Sequence, residues 1–351
     1  MSVNLKAVAE RAGVSLATAS RVISRSDYPV REELRERVLA AAAELDYVPN
    51  AQARGLLQGN PMTVGVLVPY LGPLVNTFLE HLHKLLDPYG YLLTTITTGT
   101  DVEQTIRGVT TLQGHRTGTV IFADGGAPMS TDNERLHQRV KSMVASGHYV
   151  VLIAEESQLD LPLVRIPYSR IGAMVGEWLV DNGHTEVGLI EVGTDVVATN
   201  QQSKGFNEAT SGITVHRVGA QAPTREVGRE LAAELLDQHP NITAIVGEID
   251  ALAIGAVQEA RARGIDIPGE LSIIGAYDAG GSEDYDLTTV HVPQDDIARL
   301  ALRAVKMVRE DSLPKDRVAA EVEISWQERG TTAPVGKKAK KASKKTSGKK
   351  K

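Results

Sequence analysis

The chain has no cysteine among its 351 residues, which excludes disulfides, thiolate metal ligands and thiol nucleophiles together. Aromatic residues are scarce at 4%, with three Phe and two Trp, so the core must be built from branched aliphatics and alanine. No apolar run approaches the ~18 residues that span a bilayer. Residues 1 to 15 contain Lys6, Glu10 and Arg11 and lack the apolar segment of a signal peptide, so a cytoplasmic location is expected. Patterns of catalysis are missing too. His81, His83, His115, His148 and His184 are scattered, with no HExxH and no Ser-His-Asp arrangement. His81 and His83 are two apart on an expected helix and do not share a face as metal ligands would. His184 opens a strand after a Gly-His turn, a structural position. Gly125-Gly126 and Gly280-Gly281 read as loop glycines rather than phosphate cradles. No enzyme, no cofactor and no metal are expected.

What is present is the composition of a globular protein, 42% hydrophobic and 23% charged, long enough for two or more domains. The net charge of −6 is unevenly spread. Residues 1 to 60 hold eight Lys/Arg against seven Asp/Glu, residues 337 to 351 hold nine Lys and no acid, and the stretch between carries −16. Such an acidic body repels nucleic acid, so any DNA contact must come from the two ends.

Leu5 to Ser24 reads as two short amphipathic helices. Leu5, Val8, Ala9 and Ala12 recur at i, i+3, i+4 and i+7. Gly13 can take positive φ and end the first helix, and Ser15 can cap the second. Ala19, Val22 and Ile23 form the inward face of the second helix, and small residues at Ala9, Gly13 and Ala19 permit a close, steep crossing. That is helix-turn-helix geometry, an ordinary helical hairpin being the alternative on pattern alone. Leu16, Ala17, Ser20 and Arg21 then face outward, short or basic groups suited to a major groove. After the turn at Asp27-Tyr28-Pro29, a third helix is expected over Val30–Leu45, with Arg31, Arg35 and Arg37 alternating with acids on a solvated face. Tyr47 closes this small domain. Pro49 stops the helix and Asn50 can cap another. That next helix contains Gly55 and is under ten residues long, so it should order only against a partner.

AGVSLATASRV followed by ELDYVPNAQARGL resembles the headpiece and hinge of the lactose-repressor (LacI/GalR-type) family of bacterial transcription regulators, almost without gaps over residues 4 to 57. The resemblance implies that Leu16 and Ala17 read operator bases and that Arg21 contacts base or phosphate. It also implies that Leu56 wedges into the minor groove at the operator centre, where two such leucines trade unstacking for a bent site. The DNA-binding set expected on this basis is Leu5, Ser15, Leu16, Ala17, Thr18, Ser20, Arg21, Asn50, Ala53 and Leu56. Leu16 and Ala17 donate no side-chain hydrogen bonds, so affinity must lean on Arg21, backbone amides and phosphates and fall steeply with salt.

From Thr63 the pattern changes to short apolar strands separated by helical segments: Thr63–Val68, Tyr91–Ile96, Gly118–Phe122, Tyr149–Ile153, Glu186–Val192, Thr243–Val246 and Leu271–Gly275, with a helix over Asn76–Leu86. This alternation predicts parallel sheets in an α/β fold. Asn182-Gly183-His184, Lys204-Gly205-Phe206, Asp250 to Gly255, Ile267 to Gly275 and Leu287 to Val290 resemble the same family's core in the family's order. The implied architecture is an all-α helix-turn-helix headpiece plus an α/β periplasmic-binding-protein-like core of two parallel-sheet subdomains. The expected divisions are 1–48 (headpiece), 49–60 (hinge), 61–332 (core) and 333–351 (disordered Lys-rich tail). Within the core, subdomain 1 covers about 61–160 and 292–318, subdomain 2 about 161–291 and 319–332. The tail could add phosphate contacts, bind the acidic body or aid solubility; it lacks the leucine-rich helix of tetrameric members, which favours a dimer.

The family's cleft takes a small ligand at the carboxyl ends of the strands, and here the pattern departs. Gln202 stands where the family has an arginine, Tyr168-Ser169 replace Asp-Asn, Ala276-Tyr277-Asp278 keep one carboxylate of two, and the loop Tyr70 to Val75 is a residue short and lacks phenylalanine. The expected effector residues are Tyr70, Asp124, Tyr168, Ser169, Gln202, Asp250, Tyr277 and Asp278, several of which could equally serve only to hold loops. A sugar or polyol fits them, a strongly anionic effector does not, and a poorly liganded cleft remains open. The expected protein is a cytoplasmic, nucleoid-associated, homodimeric regulator on a double-stranded, near-palindromic operator. Its rivals are a weakly specific architectural DNA-binding protein and a solute-binding protein without regulatory role.

Overall fold

The computed structural model describes residues 4–23, 29–48, 62–123, 133–192, 197–310 and 312–336. The chain divides into two compact units near Thr63. In the first, α1 (Leu5–Ala12) is capped by Asn4, whose side chain accepts from the Ala7 N–H at 3.0 Å, and ends at Gly13 with φ 62°. Ser15 Oγ accepts from the Thr18 N–H at 3.1 Å and so caps α2 (Leu16–Ile23), satisfying an amide that the helix leaves unpaired. α3 (Glu32–Glu44) begins two residues later than the sequence suggests. Val8, Ala9, Ala12, Ala19, Val22, Val38 and Ala41 form one buried cluster against which Leu5, Val30 and Tyr47 pack. Arg37, expected on a solvated face, instead reaches back to donate to the Ala12 carbonyl at 2.6 Å, a cation on the last turn of α1. Ser15→Ala removes the α2 cap and is expected to lower headpiece stability by about 1 kcal/mol, measurable by urea unfolding followed by circular dichroism.

The second unit alternates strand and helix: β1 (Thr63–Val68), α4 (Pro73–Leu86), β2 (Leu92–Thr97), α5 (Val102–Gly114), β3 (Thr119–Phe122), α6 (Glu134–Ala145), β4 (Tyr149–Ala154) and β5 (Leu163–Arg165). The chain continues through α7 (Tyr168–Asp181), β6 (Glu186–Val192), α8 (Val197–Ala209), β7 (Thr214–Ala220), α9 (Arg225–Gln238), β8 (Ala244–Gly247), α10 (Asp250–Ala262) and β9 (Ser272–Ile274). It ends with β10 (Thr289–His291), α11 (Gln294–Arg309), β11 (Val318–Glu321) and β12 (Ser325–Gln327). One six-stranded sheet has the order β11-β5-β4-β3-β1-β2, a four-stranded sheet runs β7-β6-β8-β9, and β10 pairs with β12 antiparallel. The pairs β1–β3, β3–β4, β4–β5, β5–β11, β6–β7, β6–β8 and β8–β9 are all parallel.

Alternate residues of a strand serve opposite faces. Val64, Val66 and Val68 pack with Phe78, Leu82 and Ile297 of α4 and α11. Leu67 and Phe122 pack with Leu112, Leu136 and Met143 of α5 and α6. In the second sheet Val187 and Leu189 meet α7 and α8, whereas Ile190 and Ile245 meet α9 and α10. Both faces of each sheet are covered, and therefore the strands read as continuous apolar runs rather than alternating ones. Because β5 and β11 belong to the first sheet, the chain crosses between sheets after Arg165 and after Glu321, a few residues later than positions 161 and 319. Among the described residues no helix is long and apolar enough to cross a membrane.

Candidate functional site

On α2, Ala19 and Val22 are buried while Leu16, Ala17 and Arg21 are exposed; Leu16 stands 52% open to solvent. The exposed face of α2 thus carries Leu16, Ala17 and Arg21 together, opposite the buried Ala19 and Val22. Thr18 and Ser20 are half-buried at its edges, and Thr18 Oγ1 lies 2.9 Å from Ser15 Oγ. Leu5 is half-buried against the headpiece core, so most of its surface serves packing. Asn50, Ala53 and Leu56 lie outside the described residues, as do Asp124 and the Lys-rich tail from 337.

The second candidate site is a cleft between the two sheets, at the carboxyl ends of their strands. It consists of two adjoining chambers that open to solvent, placed where open α/β sheets bind small ligands. Tyr70, Leu74, Val75, Ile249 and Tyr277 are common to both. The first chamber is closed by Phe78, Ile153, Ile166, Ala198, Val292 and Ile297, with Tyr168, Thr199 and Gln294 on its wall. The second adds Pro73, Val192, Pro223, Asp250, Ala279 and Gly280. Of the expected effector residues, Tyr70, Tyr168, Tyr277 and Asp250 line this cleft.

Three do not line the two chambers, and the reason is the same for each: their polar atoms are committed inside the protein. Gln202 is buried, donates Nε2–H to the Glu248 carbonyl at 2.8 Å and accepts from the Tyr277 hydroxyl at 2.8 Å. Ser169 donates its N–H to Glu155 Oε2 at 2.9 Å and its hydroxyl to Glu155 Oε1, a carboxylate at the positive end of α7. Asp278 pairs with His291 Nδ1 at 3.0 Å, and Arg329 Nη2 stands 2.8 Å from its other oxygen without hydrogen-bond alignment. Asp278 thus ties the loop after β9 to β10 and to the strand-end at Arg329.

Two buried carboxyls lie at the cleft, Asp250 lining the second chamber and Glu248 outside both. Asp250, at the start of α10, accepts from Thr289 Oγ1 and the Ala279 N–H, both at 2.7 Å. Burial pushes it up to about 7, and the neighbouring Asp278 adds to the rise. Glu248, which the sequence did not single out, accepts the Val192 N–H at 2.6 Å and the Ser203 hydroxyl at 3.3 Å. Burial pushes it up to about 7 as well, with Glu191 acting in the same direction. Glu248, Gln202 and Tyr277 form one connected strut under the ends of β6, β8 and β9. The signal that could have found Glu248 was its place immediately after a wholly apolar strand, where open α/β sheets build their sites. No group of three or more His, Asp or Glu side chains able to hold a metal occurs among the described residues.

A helix-turn-helix headpiece joined to a two-sheet core with a ligand-sized cleft defines a class of modular binding protein. Residues 4–50 match the profile of bacterial regulatory proteins of the lacI family, and residues 177–332 that of a periplasmic binding protein-like domain. The transcriptional regulator GntR of Pseudomonas aeruginosa is 31% identical over 328 residues, 88% of this chain and 92% of that protein. The lac repressor dimer bound to operator and the anti-inducer ONPF superposes with a TM-score of 0.78 at 20% identity, covering 95% of this chain and all of that one. A LacI family regulator from Enterococcus faecium with bound ribose covers 78% of this chain and 99% of its own at a TM-score of 0.65 and 21% identity. The chain belongs to the lacI family of bacterial regulatory proteins and is a DNA-binding transcriptional regulator.

Proposed function

We propose that the protein works as a homodimer on a near-palindromic operator and that a small molecule in the cleft, of the sugar or polyol class, alters its grip on DNA. The observation carrying the DNA half is the outer face of α2, where Leu16, Ala17 and Arg21 are exposed over a buried Ala19 and Val22. The effector half is supported by a two-chambered cleft at strand carboxyl ends and by the ribose held by a relative of the same fold. A ligand that favours one arrangement of the two sheets shifts the DNA affinity by its differential affinity for the two states; about 1 to 3 kcal/mol is typical. Asn50, Ala53 and Leu56 are assigned to the operator centre on sequence grounds. The protein acts by binding, not catalysis, in the cytoplasm on the nucleoid.

The test compares binding to the promoter fragment of its own gene with binding to a scrambled fragment at physiological salt. Preference for the first by about a thousandfold or more is expected, at the lower end of specific over non-specific ratios; equal affinities would mean an architectural protein. Arg21→Ala is expected to weaken promoter binding about tenfold. It should also flatten the salt dependence by about one unit of log–log slope if the contact is to phosphate.

A further inference from the structure

Residues 337–351 leave the core at a place that limits what they can touch. The strands of the second sheet all run the same way, so β6, β7, β8 and β9 begin on one edge. The chain just before the tail is stitched to that edge. The Ala333 N–H donates to Ser272 Oγ at 3.1 Å, and the Ser272 hydroxyl donates back to the Ala333 carbonyl at 3.1 Å. The Val335 N–H donates to the Asn182 carbonyl at 3.0 Å. Ser272 opens β9, and Asn182 follows α7 just ahead of β6. In the first sheet β1, β3, β4 and β5 also begin on one edge. There the chain arrives from the headpiece at Thr63, whose carbonyl accepts from the Gly118 N–H at 3.1 Å. The cleft lies between the opposite, carboxyl edges of the two sheets. Headpiece and tail are therefore attached at opposite ends of the core. A six-residue strand, the cleft and a seven-residue strand separate the two attachments by about 50 Å, at a rise of ~3.3 Å per residue.

Residues 337–351 span about 50 Å only when drawn out straight, and the operator is held beyond Thr63 by the headpiece. The tail falls short of the DNA that its own headpiece grips. It holds nine lysines and no acid, spaced by Ala, Ser, Thr and Gly. Lysines neutralise phosphates as point charges, and the tail has no Arg, Asn or Gln to pair with a base edge. The core does not absorb this charge where the tail begins. On that edge Glu186 faces His216 at 2.9 Å and Asp237 faces Arg263 at 2.5 Å. The exposed Asp181, Asp266 and Glu270 are too few to balance nine lysines.

We propose that residues 337–351 are a second, sequence-independent contact for double-stranded DNA, at the end of the core opposite the headpiece. One molecule then holds its operator with the headpiece and gathers a separate stretch of duplex with the tail. The acidic body between them keeps the two duplexes apart. Each lysine that meets a phosphate releases a counterion, so the contact is strong at low salt and fades as salt rises. The proposal rests on the headpiece being the specific contact.

The experiment immobilises a promoter duplex trimmed to the stretch the protein protects, loads the full-length protein, washes, and offers a fluorescent scrambled duplex. Beside it runs a full-length chain with all nine tail lysines changed to glutamine, Lys337→Gln being the first. The wild type is expected to capture about tenfold more scrambled duplex per loaded molecule, while the two proteins hold the trimmed promoter within about threefold of each other. Anisotropy titrations of the scrambled duplex alone should give the glutamine chain a log–log salt slope shallower by about three units, as the loss of about four phosphate contacts requires. Equal capture by the two proteins would overturn the proposal. A hold on the trimmed promoter weakened about tenfold in the glutamine chain would overturn it too, since the tail would then serve the headpiece's own DNA. A tighter hold would place the tail on the acidic body instead. Should the wild type not prefer the promoter, the operator reading falls, and the salt slopes on scrambled duplex still decide for or against the tail.

Discussion

Gly205→Ala is expected to lower the melting temperature of the core by about 10 °C, its added methyl making the shortest contact of any described glycine. A Cβ at Gly205 would lie 1.8 Å from the Ser169 carbonyl oxygen, and one at Gly172 would lie 1.9 Å from the Gln202 carbonyl oxygen. These are backbone atoms of the facing helix, so no rotamer change can make room. α7 and α8 would have to separate, and Ile171, Val175 and Phe206, all buried between helix and sheet, would lose contact together. Overpacking of cores costs about 1 to 3 kcal/mol where side chains can yield; a backbone clash belongs at or above the top of that range. In a unit of this size each kcal/mol moves the melting temperature by about 2 to 4 °C. Gly212→Ala is the control, since nothing lies within 4 Å of its added methyl, and its melting temperature should stay within a degree or two of wild type. Calorimetric scans of the three proteins decide the matter. An unchanged transition in Gly205→Ala would mean that the two helices do not touch through these glycines. The crossing also bears on the cleft, because it holds Gln202, and through it the Tyr277 hydroxyl, at a fixed height below the cleft floor.

The fold was legible wherever burial was two-sided. Within Glu186–Val192 the stretch Val187–Ile190 is uncharged and buried because helices cover both faces of β6, and the strand's bounds agree to the residue. β5, β10, β11 and β12 are three or four residues long and carry arginine, histidine, glutamate or glutamine, so they have too few positions for a period to emerge. β7, at the edge of its sheet, mixes exposed Thr214, Arg217 and Gly219 with half-buried Val215, His216 and Val218 and offers no apolar run. The helix over α4 starts at Pro73 rather than Asn76 because proline is accommodated in the first turn, where its missing N–H costs nothing. In the headpiece the spacing of Val8, Ala9, Ala12, Ala19 and Val22 was sufficient for the core faces of α1 and α2, whereas the bond from Arg37 to the Ala12 carbonyl does not follow from any spacing.

The cleft was less legible, for a physical reason. A polar residue near a strand end has the same appearance in sequence whether its side chain points to a ligand or to the protein. Gln202, Ser169 and Asp278 each found partners far along the chain, in Glu248, Glu155 and His291, and none of those pairings follows from spacing. The apolar side chains that set the chemistry of the first chamber, Phe78, Ile153 and Ile297, read simply as core. Ile249 is the plainest case, lying between two buried acids and lining both chambers.

Those two acids lead to the second large effect. Glu248→Gln is expected to stabilise the core by about 2 to 3 kcal/mol at pH 8 and to leave it nearly unchanged at pH 5. The carboxyl is 3% exposed, and its value of about 7 stands well above its ordinary 4.5. The folded state therefore binds a proton more tightly than the unfolded chain, and stability falls as pH rises. That loss begins near pH 4.5, where the unfolded chain starts to release its proton, and is complete a little above pH 7, where the folded state has released its own. At about 1.4 kcal/mol per pH unit the full loss is of the order of 3 kcal/mol. Asp250, also held near 7 by burial, adds a second loss of the same sign over the same window. Glutamine keeps the oxygen that accepts the Val192 N–H, turns an amide toward Ser203 and Glu191, and carries no charge to desolvate. At pH 5 the wild-type group is itself protonated and nearly isosteric with the amide, which is why the two proteins should then melt together. Comparing variant with wild type at each pH cancels the opposite contribution of His184, whose burial pulls its own value down. Denaturant unfolding at pH 5, 6, 7 and 8 should show the gap opening steadily. A gap that is constant across this range would place the Glu248 carboxyl in water rather than in the buried site formed with Val192 and Ser203.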